Sequence, residues 1–149
     1  MSLHILDIVE NSVRAKAKLV KIVIVEDEEE DILVLQINDN GKGMDQDTMR
    51  RATDPFFTTK PGRRYGMGLA LLAQATREAK GSFEVSSTPQ CGTEIRATFQ
   101  YSHPDRKPLG DISATLQTLV VGNRDVDFLY EHRKSGEVSR FDTRKVGKL

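Results

Sequence analysis

Two short apolar runs separated by a block of carboxylates set the strongest constraint on the fold. LVKIVIVE spans 19–26 and DILVLQIND spans 31–39, and both are rich in Val, Ile and Leu, which favour strands. A run of acidic residues over 26–31 lies between them, and its mutual repulsion costs least at an exposed turn. The pattern therefore predicts two paired strands joined by a solvated hairpin turn, and a metal site at the carboxylates is the less favoured alternative.

Apolar spacing and turn residues divide the rest of the first hundred residues. Leu6, Val9 and Val13 recur with the spacing of one helix face, and a later stretch over 69–80 has helical spacing too. Gly81 follows it as a predicted left-handed cap. The predicted order is helix 3–16, strands 19–26 and 31–39, short helix 46–52, a loop, helix 69–80, and strands 82–87 and 93–101 around the turn TPQCG. This order predicts a mixed sheet covered on one face by helices.

The composition changes after Tyr101. The segment SHPDRKPLGD contains two prolines and a glycine and is typical of a connector. Asp111 is a candidate helix cap, with the helix running through Val121 to Gly122. VDFLYEHR and EVSRFDT around KSG predict a hairpin. We therefore expect a main domain over 1–101 and a C-terminal extension over 102–149, helix plus hairpin, packed on the same domain.

Composition limits the classes of function. The 149 residues carry a formal net charge of zero, so nothing in the charge balance calls for nucleic acid as a partner. One cysteine and three scattered histidines suggest neither an internal disulfide nor a zinc cluster. No apolar run approaches the roughly 20 residues that span a bilayer, so we expect no membrane association and a cytoplasmic location. A basic tail over 140–148 is interpreted as a solvated surface.

The stretch INDNGKGM ends the second predicted strand with an acid, an amide and two glycines. A P-loop requires a Gly-Lys-Ser/Thr ending, but Lys42 lies between the glycines and Met44 follows. A dinucleotide-binding fingerprint requires a third glycine where Gln46 stands. Both common nucleotide loops therefore fit poorly, and for this segment alone a plain strand-ending turn remains an equal alternative.

Four segments in one order decide between these alternatives. DIVENS at 7–12, DNGKGM at 39–44, DPFFTTK with GMGL at 54–69, and Gly-Thr at 92–93 resemble the motifs of the GHKL superfamily of gyrase B, Hsp90, histidine kinases and MutL. The resemblance spans about two thirds of the chain. It implies the α+β class with a Bergerat-type α/β sandwich, in which a mixed, mostly antiparallel sheet carries helices on one face, and it makes 1–101 an ATP-binding domain.

The resemblance also implies a site for Mg²⁺ and ATP. Asn11 matches the asparagine whose amide oxygen binds Mg²⁺, a ligand type that suits this hard ion. Asp39 matches the aspartate that accepts a hydrogen bond from the adenine amino group, which would select against guanine. Gly41 and Gly43 would let the backbone approach the purine without a Cβ. Thr93 matches the threonine beside the adenine.

Further positions follow from the second glycine motif. Gly66 and Gly68 would present backbone amides to phosphate at a helix N-terminus, and Met44 and Leu69 complete the implied nucleotide contacts. Lys60 lies in the implied lid with Arg63 and Arg64; these cations either reach phosphate oxygens or remain solvated without a ligand. Phe56 and Phe57 are better interpreted as core or lid-hinge residues than as ligand contacts.

The resemblance includes departures that bear on catalysis. Asp7 lies one helical turn before Asn11 on the same face, and it is a candidate general base where hydrolysing relatives often have glutamate. Arg64 and Tyr65 replace the glycine and threonine that usually open the second glycine motif. Only ten residues precede Asn11, so we expect no upstream phosphoacceptor domain, and His4 is interpreted as a surface or core histidine.

Three functions follow from these predictions. The first is a Mg-ATP-dependent kinase acting on a separate partner protein, as in standalone anti-sigma kinases of the superfamily. The second is a slow ATPase that acts as a conformational switch, and the third is a nucleotide-binding module without turnover. The whole chain also resembles small ATP-binding proteins found with iron-hydrogenase genes, and this association suggests a protein partner.

Overall fold

The computed structural model describes residues 1–53, 67–106 and 108–146. Within these ranges the order of elements follows the predicted one, with an additional short helix after the last strand. The elements are α1 (Ser2–Arg14), β1 (Leu19–Asp27), β2 (Ile32–Asp39), α2 (Gln46–Thr53), α3 (Met67–Glu78), β3 (Ser82–Thr88), β4 (Gly92–Gln100), α4 (Ile112–Gly122), β5 (Asp127–Lys134), β6 (Glu137–Asp142) and α5 (Thr143–Val146).

The strands form one six-stranded sheet in the order β3-β4-β2-β1-β5-β6. Among the strands in the described ranges, four neighbouring pairs are antiparallel, and only β1 and β5 run parallel. The predicted pairing of the first two apolar runs is confirmed, since β1 and β2 pair from Val20 with Asp39 to Asp27 with Ile32. The predicted α+β class with a mixed, mostly antiparallel sheet is likewise confirmed.

Side chains alternate between two unlike faces of this sheet. In β1, Val20, Ile22 and Ile24 are buried and point to what we call the helix face. Their neighbours Val23 and Val25 are half-buried and lie on the opposite side, the open face. The helix face packs against apolar residues of α1, α3 and α4 in one core. Burying each such aliphatic side chain is worth about 1.5–3 kcal/mol, so this alternation determines the orientation of every strand.

The segment after Tyr101 continues the same sheet and core. The Asp111 carboxylate caps α4 by accepting a hydrogen bond from the Ala114 N–H at 3.0 Å, and Leu116 and Leu119 of that helix are buried in the common core. Strand β5 pairs with β1 over eight residue pairs, from Leu19 with Asp127 onward. It therefore gives β1 a second hydrogen-bonded neighbour, and β6 becomes the edge of the sheet.

The acidic run is only partly the solvated turn that its sequence predicts. The carboxylates over 28–30 are exposed, as expected. Glu26 is buried instead, because it falls on the helix face, and it accepts hydrogen bonds from Tyr101 Oη at 3.2 Å and pairs with His132 Nε2 at 2.6 Å. Asp31 binds the Ser102 N–H and hydroxyl, each at 2.8 Å, and the Ser102 hydroxyl is the main cause that lowers the Asp31 pKa. The expectation was therefore wrong for Glu26.

The end of α3 corrects a second prediction. Lys80, with φ of 52°, is the left-handed residue, and the predicted Gly81 is the residue after it. The Gly81 N–H bonds Thr76 O at 2.7 Å and the Lys80 N–H bonds Arg77 O at 3.2 Å, which is the bonding of a Schellman cap. Glycine is needed at 81 for a different reason: a Cβ there would overlap the carbonyl oxygen of Thr98.

Replacing Gly81 with alanine should therefore destabilise the fold. We expect Gly81→Ala to lower the free energy of unfolding by about 1–3 kcal/mol, as overpacking against a backbone atom does. Gly122→Ala is the matched control, because a Cβ there would meet nothing within 4 Å. Urea denaturation of both variants checks this, and equal stabilities would contradict the steric account.

Tyr130 generates a prediction about alkaline pH. Burial, and then the charge of Glu26, raise the pKa of Tyr130 to about 12, whereas an unfolded tyrosine titrates near 10. Between pH 10 and pH 12 the unfolded chain loses the Tyr130 hydroxyl proton, whereas the folded chain keeps it. The contribution of Tyr130 to the free energy of unfolding is therefore complete below pH 10 and is lost as the pH rises toward 12.

Tyr130→Phe removes this titration. We expect the wild type to lose about 1 kcal/mol more stability than the variant between pH 9 and pH 11, measured by urea denaturation at both pH values. The comparison cancels the lysines, which titrate in both proteins. A constant difference between the two proteins across this range would show that Tyr130 titrates normally.

Candidate functional site

The candidate site is built around the Asp39 carboxylate at the end of β2. Its Oδ2 accepts a hydrogen bond from Ser12 Oγ at 2.7 Å, and its Oδ1 accepts one from the Gly41 N–H at 2.9 Å. Ser12 is buried on α1, and Asp39 is half-buried. Each carboxylate oxygen has a second lone pair. The carboxylate is therefore held in one orientation and can still accept a further hydrogen bond.

Polar side chains continue from Asp39 across the neighbouring strands. Thr93 of β4 pairs in register with Asp39, and Ser87 of β3 pairs with Thr93. The Thr93 and Ser87 hydroxyls lie 2.8 Å apart, and Ser87 Oγ accepts the Met44 N–H at 2.7 Å. Met44 itself packs half-buried against the core. The row of Asp39, Thr93 and Ser87 thus connects the end of β2 to the loop that follows it.

The two glycines of this loop, and Gly92 at the start of β4, are explained by contacts within the protein. Gly43 has φ of +71°, and a Cβ there would overlap the carbonyl oxygen of Thr88. Gly92 has φ of +100°, and its Cβ would overlap the carbonyl oxygen of Asp39. A Cβ at Gly41 would lie 2.7 Å from Ala15 O, an atom that also accepts the Lys42 N–H. Room for a purine is therefore not needed to explain either Gly41 or Gly43.

A second group of predicted residues meets where α1 contacts α3. Asp7 is exposed and Asn11 is half-buried, and Gly68 lies in the first turn of α3. A Cβ on Gly68 would lie 3.1 Å from Asp7 Cβ and 3.9 Å from Asn11 Nδ2, so the glycine permits this close approach. The first backbone N–H groups of a helix lack intrahelical partners and carry positive potential. Asp7 and Asn11 are therefore beside a helix N-terminus.

Of the remaining predicted residues, one has a side chain that is buried in the core and the others lie outside the described residues. The Leu69 side chain is buried in the hydrophobic core, so only its backbone is available to a ligand. Lys60 and Gly66 lie outside the described residues, as do the predicted lid cations and the two phenylalanines of 56–57. The structure thus brings the predicted residues together in two clusters. The first contains Asp39, Gly41, Gly43, Met44 and Thr93, and the second contains Asp7, Asn11 and Gly68. Helix α1 connects them, because Ser12, which binds Asp39, directly follows Asn11.

The donor set fits a Mg²⁺ ion that keeps phosphate and water ligands. Across the residues that the structure describes, no group of three or more His, Cys, Asp or Glu side chains could enclose a metal. Mg²⁺ usually takes one or two protein oxygens and completes its shell with substrate phosphates and water. The Asn11 amide oxygen, as one protein ligand, matches that requirement.

Sequence reasoning missed Ser12 and Ser87 as parts of the site. Ser12 continues the inner face of α1 that holds Ile5, Ile8 and Val9, and a polar residue in such an apolar stripe is the signal that could have revealed it. Asn40 was also unassigned. Its Oδ1 accepts the N–H groups of Lys18 and Leu19 at 2.8 and 2.9 Å, and this attaches the loop to the start of β1.

Residues 2–103 match the family model of histidine kinase-, DNA gyrase B- and HSP90-like ATPases. The chain belongs to this family. The match contains every element from α1 to β4 and therefore all residues of both groups described above. The part after residue 103 lies outside the match.

Individual relatives of this ATPase family agree with the assignment. A protein of Shewanella frigidimarina that is named as a sensor protein is 31% identical over 103 residues, which are 68% of this chain and 16% of that protein. The sensor histidine kinase YxdK of Bacillus subtilis is 35% identical over 75 residues, 48% of this chain and 23% of the kinase. The chain thus spans less than a quarter of the length of these curated relatives.

The fold is also found in a solved structure. The MutL ATPase domain of Aquifex aeolicus complexed with ADP superposes with a TM-score of 0.59 at 16% identity, covering 95% of this chain and 62% of that domain. At this identity the similarity establishes the fold. Among the described helices, none is long and apolar enough to cross a membrane.

Proposed function

We propose that this protein binds Mg-ATP and transfers the γ-phosphoryl group to a separate partner protein. The observation that carries the proposal is the Asp39 carboxylate, held by Ser12 and Gly41 at a strand end with acceptor capacity to spare. Membership of the histidine kinase-, gyrase B- and HSP90-like ATPase family supports the nucleotide. Two sensor proteins among the relatives, one named as a histidine kinase, support phosphoryl transfer.

Asp39 would select adenine by accepting a hydrogen bond from its exocyclic amino group. Guanine presents a carbonyl at the corresponding position, and two acceptors facing one another lose a hydrogen bond and repel. Thr93, which is paired with Asp39 in register, would lie beside the base. The orientation of the carboxylate is set before the ligand arrives, so binding does not have to order this side chain.

The phosphates would lie near the contact of α1 with α3. Asn11 would hold Mg²⁺, which would neutralise phosphate charge during transfer, and the backbone N–H groups around Gly68 would donate hydrogen bonds to phosphate oxygens at the helix N-terminus. Asp7 is exposed beside Gly68 and would remove the proton from the incoming hydroxyl or imidazole of the partner. A slow ATPase switch would use the same residues with water as the nucleophile.

The first measurement is calorimetric titration of ATP and GTP, with and without Mg²⁺. We expect wild-type protein to prefer ATP and Asp39→Ala to bind ATP about 10- to 100-fold more weakly, since a hydrogen bond to a charged group is worth about 1.5–3 kcal/mol. Asp125→Ala is the control, because Asp125 is an exposed carboxylate in the turn before β5. Unchanged binding by Asp39→Ala would disprove the site.

Asp7→Asn separates turnover from binding. We expect this variant to bind ATP as the wild type does and to lose most phosphoryl transfer, because an amide cannot take up the proton. Radiolabelled ATP with co-purified proteins reports transfer, and free phosphate reports hydrolysis. Transfer supports the kinase, phosphate release without transfer supports the ATPase switch, and binding with neither supports a nucleotide-binding module.

Ser12 should act by positioning Asp39. Ser12→Ala removes the hydroxyl that donates to Asp39 Oδ2, and we expect ATP affinity to fall about 3- to 10-fold, the loss from about 1 kcal/mol. Ser113→Ala, at an exposed serine of α4, makes the same substitution away from the site and should bind ATP normally. Wild-type affinity in Ser12→Ala would show that Gly41 alone orients the carboxylate.

A further inference from the structure

The centre of the open face is apolar, although the core residues of α1, α3 and α4 pack on the opposite face. Val25 of β1 pairs directly with Val34 of β2, and Val23 lies beside them; all three are half-buried. At the ends of the same face Ile32 is 39% and Val138 49% exposed. A solvated sheet face normally carries polar side chains in its central strands. An apolar centre of this kind marks a surface that is covered in use.

Charged residues flank this apolar centre in an ordered pattern. On the β3 and β4 side the open face carries two carboxylates and one guanidinium, Glu84, Glu94 and Arg96. On the β5 and β6 side it carries the guanidiniums of Arg133 and Arg140 and the carboxylates of Asp127, Glu131 and Asp142, the last of which is paired with Arg144. Glu131 forms ion pairs with both arginines, and the hydrogen bond from Arg140 is the largest cause that lowers the Glu131 pKa. Each flank therefore carries charges of both signs.

One cross-strand row shows the pattern residue by residue. Read from β3 to β6, the paired residues of this row are Glu84, Arg96, Gln36, Val23, Glu131 and Arg140. The charges along it run negative, positive, neutral, neutral, negative, positive. Reversing the row puts the opposite sign at each charged position, so the row is complementary to its own reversed copy.

We propose that the open face binds the open face of a second copy of this chain, about a two-fold axis parallel to the strands between β1 and β2. This operation lays β2 of one copy over β1 of the other, which stacks the valines at the centre. It lays β4 over β5 and β3 over β6, so that Glu84 faces Arg140 of the second copy, while Arg96 lies over the Glu131–Arg140 ion pair. Two sheets pack in this aligned way about 10 Å apart in β-sandwiches.

The size of the face sets the strength of the dimer. Six strands about 4.8 Å apart and about six residues long give a footprint of roughly 500 Å² per copy, near the lower limit of a specific interface. The dimer should therefore be concentration-dependent and form in the micromolar range. Because the axis is parallel to the strands, both Asp39 residues lie at the same end of the dimer.

Sedimentation velocity from roughly 10 µM to 1 mM tests the proposal, a range that brackets such an affinity. We expect the wild type to shift from monomer to dimer. Val34→Lys, which places a charge at the apolar centre, should weaken association at least tenfold, and Val121→Lys, at a 60% exposed valine of α4, should leave it unchanged. A wild type that stays monomeric, or equal association of the two variants, would overturn the proposal.

Charge reversal tests the symmetry itself. Glu84→Arg and Arg140→Glu should each weaken self-association, because each puts like charges opposite one another at both contacts. In an equimolar mixture of the two variants, the heterodimer has opposite charges at both contacts, so association should return to near the wild-type level. Folding of each variant is checked by circular dichroism. If the mixture does not associate, or if either single variant associates like the wild type, the two-fold arrangement is wrong.

Discussion

The register of β2 between β1 and β4 is the constraint on which the candidate site depends. It pairs Asp39 with Val20 on one side and with Thr93 on the other. Because side chains alternate along a strand, a shift of one residue would turn Asp39 to the open face and expose Leu33, Leu35 and Ile37 to water. These three are fully buried. The free energy of burying aliphatic side chains thus holds a polar group in its place.

The same alternation places a second carboxylate at the other end of the helix face. Glu26 is directed inward like Val20, but its environment is closed, since Tyr101 and His132 bind it. Asp39 differs because its two partners leave it half-buried with spare lone pairs. The two acids belong to the same face of one sheet, yet one is satisfied by the protein and the other remains able to bind a ligand.

Local patterns predicted the elements well and the reasons for individual residues less well. Val, Ile and Leu runs, helical spacing and turn residues placed the strands, helices and hairpins close to their observed bounds. Gly81 was correctly predicted to end α3, but glycine is required there because a Cβ would overlap the carbonyl oxygen of Thr98, on a strand that is distant in sequence. Glu26 was wrongly assigned to a solvated turn, because the partners that bury it lie 75 and 106 residues away.

The sequence by itself determined the alternation of the strands, the order of the elements and the family motifs, because these depend on residues close together in the chain. It also marked Asp39 and Asn11 as candidate ligands. Only the tertiary structure decided which groups hold them: Ser12 reaches Asp39 from a helix 27 residues earlier, and Gly68 brings α3 against Asp7 and Asn11. Such contacts join distant segments through packing and strand register, which one amino-acid sequence does not indicate directly.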